Sequence, residues 1–301
     1  MALSLDDWIG LDTTVGRIEG RIRELRRAVE QDGVPDLRTS VLTHLAWVPP
    51  AYEQAATDTL AGLAERHPSR AILLIPDPDA GSDGLDAEIT LRCFSLPGLE
   101  AHVCSEVIEL RLRGRRSIAP ASIVAPLLIA DLPVFLRWRG RPSFGEPWTE
   151  QLFELVDRLV VDTSEWLDLP GAYAELAAHF DGVAVSDLAW RRMLPWRAEL
   201  AALWPGIASA SRLSVVGPHA DGLLLAGWLR SRLGRDIALD LDERSEVEAI
   251  SVDGRAVSYP AEPPQTSSDQ LSDHLDQFAR DPVYEAAVRA AQEEQVFDLE
   301  T

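Results

Sequence analysis

Val41-Leu42-Thr43-His44-Leu45-Ala46-Trp47-Val48 and Ala71-Ile72-Leu73-Leu74-Ile75 are apolar runs of strand length, set apart by a stretch from about Pro50 to Arg66 that suits a helix. Strands alternating with helices pack as layers around a sheet, so this passage points to an α/β domain. The flanking text agrees. Residues 12–31 place Val15, Ile18, Ile22, Leu25 and Val29 on one stripe with Arg or Glu opposite, as in an amphipathic helix, and Gly33-Val34-Pro35 ends it. Ala87–Phe94 and Val103–Leu112 alternate as the strands of a hairpin joined around Pro97-Gly98. A helix over Ser117–Ala130 and strands at Pro133–Trp138 and Leu159–Asp162 complete a first domain with a mixed sheet.

Residues 164–204 read as mostly helical. A second α/β unit starts with strand Arg212–Val216, turns at Gly217-Pro218, and runs through a helix over Asp221–Leu233. Ile237–Leu241, Val247–Val252 and Ala256–Tyr259 follow as strands, then a loop rich in Pro, Ser and Glu over Pro260–Asp269. In the last helix Asp281 caps, Pro282 suits the first turn, and Tyr284, Ala287, Val288 and Ala291 form the buried stripe. The expected fold class is α/β: two layered units with mixed sheets, joined by a helical segment, plus N- and C-terminal helices. The expected domains are residues 1–162 and 163–301.

With 301 residues, 46% of them hydrophobic, the chain can bury a sizeable core. It contains no lysine and no asparagine; every Lys or Arg position is Arg. That removes the usual phosphate-binding P-loop, Schiff-base chemistry and a lysine general base. A formal net charge of -21 argues against nucleic acid and anionic membrane surfaces, both of which need a basic footprint. Met1 to Trp8 lacks the charged and apolar regions of a signal peptide. The longest apolar run, Ile118–Leu136, is interrupted by Pro120, Pro126, Asp131 and Pro133, so no membrane span is expected and the protein reads as soluble and cytoplasmic. Two cysteines are too few for a disulfide framework or a four-thiolate zinc site. The hairpin sets Cys93 opposite Cys104, within reach of a bridge if the pair is not hydrogen-bonded; buried, reduced thiols are the expectation.

No catalytic signature appears. The six histidines are scattered, without a metal-binding pair on one helix, and no Gly-x-Ser-x-Gly elbow occurs. Gly217-Pro218-His219-Ala220-Asp221-Gly222 sits where a dinucleotide fingerprint would, but the spacing is wrong and Pro218 blocks the tight turn; an ordinary strand-to-helix turn or an anion at the helix start remain. Asp77 to Gly84 fails as a calcium loop in both registers, with Ser82 where the turn needs Gly or Thr90 where the bidentate Glu belongs. No cofactor, metal or catalytic residue is therefore expected. Arg111, Arg113, Arg115 and Arg116, with Arg137, Arg139 and Arg141, form either one positive zone or solvated strand ends.

The segment Ser186-Asp187-Leu188-Ala189-Trp190-Arg191-Arg192-Met193-Leu194-Pro195-Trp196-Arg197 concentrates two Trp and three Arg, the residue types most enriched at protein interfaces. Ser186 or Asp187 can cap a helix in which Ala189, Met193, Trp196, Leu200 and Leu203 form an apolar stripe, with Trp190, Leu194 and Arg197 on a neighbouring face and Pro195 breaking the ladder. It is either a core helix backed by solvated Arg or a surface that grips a partner. His67-Pro68-Ser69-Arg70 stops the preceding helix and leads into a strand at its entry end, where a structural or partner-facing role fits better than a substrate pocket.

Taken in order, Val41-Leu42-Thr43, Arg66 to Arg70, Ala125 to Val134, Asp187-Leu188-Ala189-Trp190 and Ala226-Gly227-Trp228-Leu229 resemble the glucose-6-phosphate dehydrogenase assembly protein (OpcA) family from about residue 12 to about residue 292. Pro195 and the Arg-rich surroundings of Trp138 depart from its pattern. The resemblance implies a non-catalytic assembly factor, or allosteric activator, that binds glucose-6-phosphate dehydrogenase and promotes its active oligomer in the oxidative pentose phosphate pathway. The partner-binding residues expected are His67, Ser69, Arg70, Trp190, Arg191, Trp196 and Arg197. The alternatives are a sugar-phosphate-handling enzyme that uses the Arg groups, and an anionic-metabolite sensor at the Gly217 turn.

Overall fold

The computed structural model describes residues 3–31, 40–63, 69–95, 102–260, 271 and 279–292. The chain divides into two units, Met1–Val160 with Thr266–Gln277 and Val161–Gln265 with Phe278–Thr301. His67, the Pro97-Gly98 turn and the 261–269 part of the expected loop lie outside the described residues.

The first unit runs β1 (Leu3–Gly10), α1 (Val15–Gln31), β2 (Thr43–Trp47), α2 (Glu53–Leu63), β3 (Arg70–Asp77), β4 (Gly84–Ser95), β5 (His102–Arg113), α3 (Pro120–Val124), β6 (Val134–Trp138), α4 (Pro147–Phe153) and β7 (Arg158–Val161). Its strands lie in the order β1-β4-β5-β3-β2-β6-β7. Strand β2 pairs parallel with β3 and β6, β3 with β5, and β6 with β7, while β4 runs antiparallel to both β5 and β1. The two runs that suggested the fold are thus adjacent parallel strands in the middle of a mixed sheet. Both are buried almost throughout, as continuous apolar strands covered on two faces must be. On α1 the stripe residues Ile18, Ile22 and Leu25 are buried.

Three features differ from expectation. Strand β1 is unforeseen: its register slips between Leu5 and Trp8, and the irregularity around Asp6 and Asp7 breaks the period-two pattern. The helix expected over Ser117–Ala130 is three short pieces, because Pro120 opens α3 and Pro126 opens a separate 3-10 turn at Ala125–Leu127. Cys93 faces Cys104 in the β4–β5 register as read, but Cys104 is disulfide-bonded and only half-buried, which corrects the expectation of reduced thiols.

The second unit contains α5 (Gly171–Ala178), β8 (Ala184–Asp187), α6 (Leu188–Arg192), α7 (Leu194–Ala202), β9 (Arg212–Gly217), α8 (His219–Leu233), β10 (Ala238–Glu243), β11 (Ala249–Val252), β12 (Arg255–Ala256) and α9 (Pro282–Ala291). Strands order as β10-β9-β11-β12, with β9 and β10 parallel across the α8 crossover and β11 antiparallel to β9, so this sheet is mixed too. Asp253-Gly254, both at positive φ, close the two-residue β11–β12 hairpin. Asp281 caps α9 as expected, accepting from the backbone N–H groups of Val283 and Tyr284. Helix α9 lies close against α8 at Gly227, where a Cβ would stand 2.2 Å from the carbonyl oxygen of Ala287. Among the described residues no helix is long and apolar enough to cross a membrane.

Candidate functional site

The Trp-Arg segment is built on Asp187. This residue ends β8 in an extended conformation, and its Oδ1 accepts from the Ala189 N–H, capping α6. The same carboxylate accepts from the Thr163 N–H at 3.1 Å, the Thr163 hydroxyl at 2.8 Å and the Tyr284 hydroxyl at 3.2 Å. Burial pushes it up to about 6, with the charge of Asp162 in the same direction, while the Thr163 and Ala189 hydrogen bonds oppose.

Helix α6 ends at Met193, which also precedes α7, and Pro195 falls in the first turn of α7, where its missing N–H costs nothing. This break sends the two tryptophans into different packing environments. Trp196 joins Met193, Leu200, Ile207, Leu213 and Leu229 in the core of the second sheet and meets the Tyr259 ring edge-on at 5.2 Å. Trp190 packs against Tyr284 at 5.7 Å, and its indole N–H donates to Asp281 at 2.9 Å. The Arg197 guanidinium covers its face at 3.4 Å from the ring centroid and donates to the Trp190 carbonyl. Burial, helped by neighbouring Arg191 and opposed by Asp281, lowers Arg197 to about 10.

Arg192 turns the other way. It forms a two-pronged pair with Asp162, donates to Ser164, and lies 3.8 Å from Asp221. Burial works against its charge, but the hydrogen bonds and charge of Asp162 prevail and raise its pKa. Asp221, in the first turn of α8, is raised by burial to about 7, with Asp162 and Asp187 adding to the effect and Arg192 opposing it. Tyr173 and Tyr284, both fully buried, are driven well above the ordinary phenol value by burial and then by Asp187.

The expected site residues therefore occupy three kinds of place. Trp190 and Trp196 are 4% and 5% exposed, so neither ring is left as an open aromatic surface. Arg191 and Arg197 are half-buried at the edge. Ser69 and Arg70 belong to the first unit and are buried: Arg70 donates to Glu106 at 2.7 Å and to the Leu127 carbonyl at 2.6 Å, and Arg26 pairs with the same Glu106. Burial alone would raise Glu106, but the Arg26 and Arg70 hydrogen bonds and charges hold it below the usual carboxylate range. His67 lies outside the described residues.

Four of the seven Arg residues in these groups are tied to their own surroundings. Arg111 pairs with Glu53, Arg113 with Asp12 and Asp86, and Arg115 with Asp83, while Arg137 is buried and donates to the Val160 and Trp138 carbonyls. The Gly217 turn is a packing device: a Cβ there would come within 3.0 Å of the Val247 Cα. The carboxylates of Asp162, Asp187 and Asp221 nearby make it a poor seat for an anion.

Trp204, which the sequence reading did not single out, is 66% exposed, as is Tyr259 at 69%; it comes just after Leu203, which is also exposed although the stripe had placed it inside. Leu203 ends α7, and the chain leaves the helical path before Trp204-Pro205-Gly206. The Pro-Gly pair after an apolar stripe was the available signal. Leu194, at the opposite end of α7, is exposed as well.

Two family models match the chain in succession. The one described as the glucose-6-phosphate dehydrogenase subunit N-terminal domain covers residues 60–178, and the one described as its C-terminal domain covers residues 183–288. Proteins named OxPP cycle protein OpcA from Synechococcus elongatus and Synechocystis sp. are each 25% identical, over 183 and 185 residues, and one from Nostoc punctiforme is 27% identical over 183; each alignment covers 57% of this chain. The chain spans only 38–41% of the length of these curated relatives. Consecutive matches to both halves of one subunit, together covering about three quarters of the sequence, mean that this chain belongs to the OpcA family of glucose-6-phosphate dehydrogenase assembly proteins.

Proposed function

We propose that this protein is a non-catalytic binding partner of glucose-6-phosphate dehydrogenase that acts in the oxidative pentose phosphate pathway, in the cytoplasm. The observation that carries this reading is the pair of consecutive domain models, both described as parts of a glucose-6-phosphate dehydrogenase subunit. A protein of this kind changes the enzyme only by binding one state more tightly than another, and the state it favours is the active oligomer.

On the second unit, the contact surface we favour is the end of α7 and the turn after it, Leu203 and Trp204, with Leu194, Arg191 and Arg197 at the start of the helix as a second patch. An exposed Trp beside Arg has the composition of an interface hot spot. Trp190 and Trp196 then act from beneath, fixing the angle between α6 and α7. On the first unit, His67, Ser69 and Arg70 remain the proposed contact, with the buried Ser69 and Arg70 holding the strand entry in place.

The test is dehydrogenase kinetics with and without an equimolar amount of this protein, with light scattering of the mixture. Raised activity together with a larger complex supports the reading; unchanged activity and no complex, with both proteins folded, reject it. Raised carboxyl pKa values such as those of Asp187 and Asp221 also occur in enzymes, so sugar-phosphate turnover by this protein alone is measured in the same experiment. Turnover would favour the enzyme reading.

A further inference from the structure

Asp221 is only 2% exposed, and its Oδ1 accepts no hydrogen bond among the described residues. Its ion pair with Arg192 is long, 3.8 Å, and both terminal nitrogens of that guanidinium already serve Asp162. The elements packed around it bring more negative or neutral groups than positive ones. Asp162 comes from the end of β7, Asp187 from β8, Arg192 from α6, Tyr173 from α5, and Tyr284 with Asp281 from α9; His219 stands in the same helical turn. Three carboxylates thus share one guanidinium in a place that water screens poorly, and the orphaned oxygen is where a proton relieves the imbalance.

We propose that this cluster is a proton-operated clasp: with one of its carboxyls protonated it holds α8 and α9 firmly together, and with all three ionised it slackens. The geometry supplies the mechanism. Asp221 belongs to α8, while Asp187 accepts from Tyr284 of α9 and holds the 3-10 turn at Thr163 and the start of α6, so repulsion between ionised Asp221 and Asp187 pushes α8 away from the side to which α9 is bonded. Folding raises Asp221 to about 7 and Asp187 to about 6, from ordinary carboxyl values near 4. The folded unit therefore binds more protons than the unfolded one between those limits. Its stability is greatest in mild acid, falls as pH rises, and levels off once pH passes the folded values.

The test is amide hydrogen exchange of the full-length protein at pH 5.5, 6.5, 7.5 and 8.5, corrected for intrinsic exchange and read on peptides containing Tyr284. Protection of α9 is expected to fall by up to about tenfold per pH unit to near pH 7 and then flatten, the slope of one linked proton. Asp221→Asn is expected to remove most of that slope and to exceed the parent in protection at pH 8.5. Infrared spectroscopy of the unmutated protein, which needs no variant to fold, should show a carboxylic-acid band at pH 6 that is lost by pH 8.5. A parent profile flat from pH 5.5 to 7.5, a folded Asp221→Asn variant with the parent's slope, or absence of the acid band would each overturn the proposal.

Discussion

Replacing Gly227 with alanine puts a methyl group where the backbone of α9 already stands. The new Cβ would lie 2.2 Å from the Ala287 carbonyl oxygen, 2.9 Å from the Ala291 nitrogen and 3.0 Å from the Ala291 Cβ. Backbone cannot swing aside as a side chain can, so α8 and α9 must separate by about 1 Å to restore ordinary contact distances. Overpacking of this kind costs ~1–3 kcal/mol. The same shift carries the Tyr284 hydroxyl, 3.2 Å from Asp187, out of hydrogen-bonding range, and a bond to a charged group contributes ~1.5–3 kcal/mol. Against these losses stands the better helix propensity of alanine, about 1 kcal/mol. The net is a destabilisation of about 3 kcal/mol, or a fall of roughly 10 °C in the melting of the second unit. Scanning calorimetry of the full chain is the assay. Gly20→Ala on α1, where a Cβ meets nothing within 4 Å, serves as the control and should stabilise by about 0.5–1 kcal/mol. If Gly227→Ala melts at or above the parent temperature, propensity has won and the close approach of α9 to α8 is refuted.

Other perturbations separate structural from contact roles. Glu106→Gln leaves Arg26 and Arg70 without their shared carboxylate and should cost about 3 kcal/mol in chemical denaturation of the first unit; a midpoint within error of the parent would show that the network contributes little. Trp190→Ala removes a buried ring together with its bond to Asp281 and should cost ~3–5 kcal/mol, checked by thermal melting. Trp204→Ser, at an exposed position, should leave melting within a degree or two but weaken dehydrogenase binding about tenfold or more in titration calorimetry. Unchanged affinity there would move the proposed contact away from the end of α7.

The legible parts of this fold are those in which a local pattern and its tertiary use coincide. Leu45 and Leu73 sit in runs that only a doubly covered strand can bury, and Asp281-Pro282 marks the start of α9 with its own chemistry. The Cys93–Cys104 register followed from alternation alone, whereas the oxidation state of Cys104 did not. Strand β1 hides behind the register slip at Asp6 and Asp7. The candidate site was legible in composition and opaque in exposure. A single straight helix through Trp190 and Trp196 would leave one ring outside, but the break at Met193 lets α8 and α9, remote in sequence, cover both. The same break ends the stripe early and leaves Leu203 and Trp204 outside. The acid cluster was least visible, because Asp162, Asp187 and Asp221 are scattered along the chain as ordinary strand ends and helix starts.

The packing of α9 on α8 also has a meaning in time. Pro282–Ala291 is made by the ribosome after every other described element of its unit, yet Ala287 and Tyr284 close over Gly227 and Asp187. During translation, β9, α8 and β10 must wait with an apolar helix face uncovered, and a transcript truncated before codon 282 never relieves that wait. Nascent chains arrested at that point should recruit holding chaperones, and synthesis and release of the Pro282–Ala291 helix should end the recruitment.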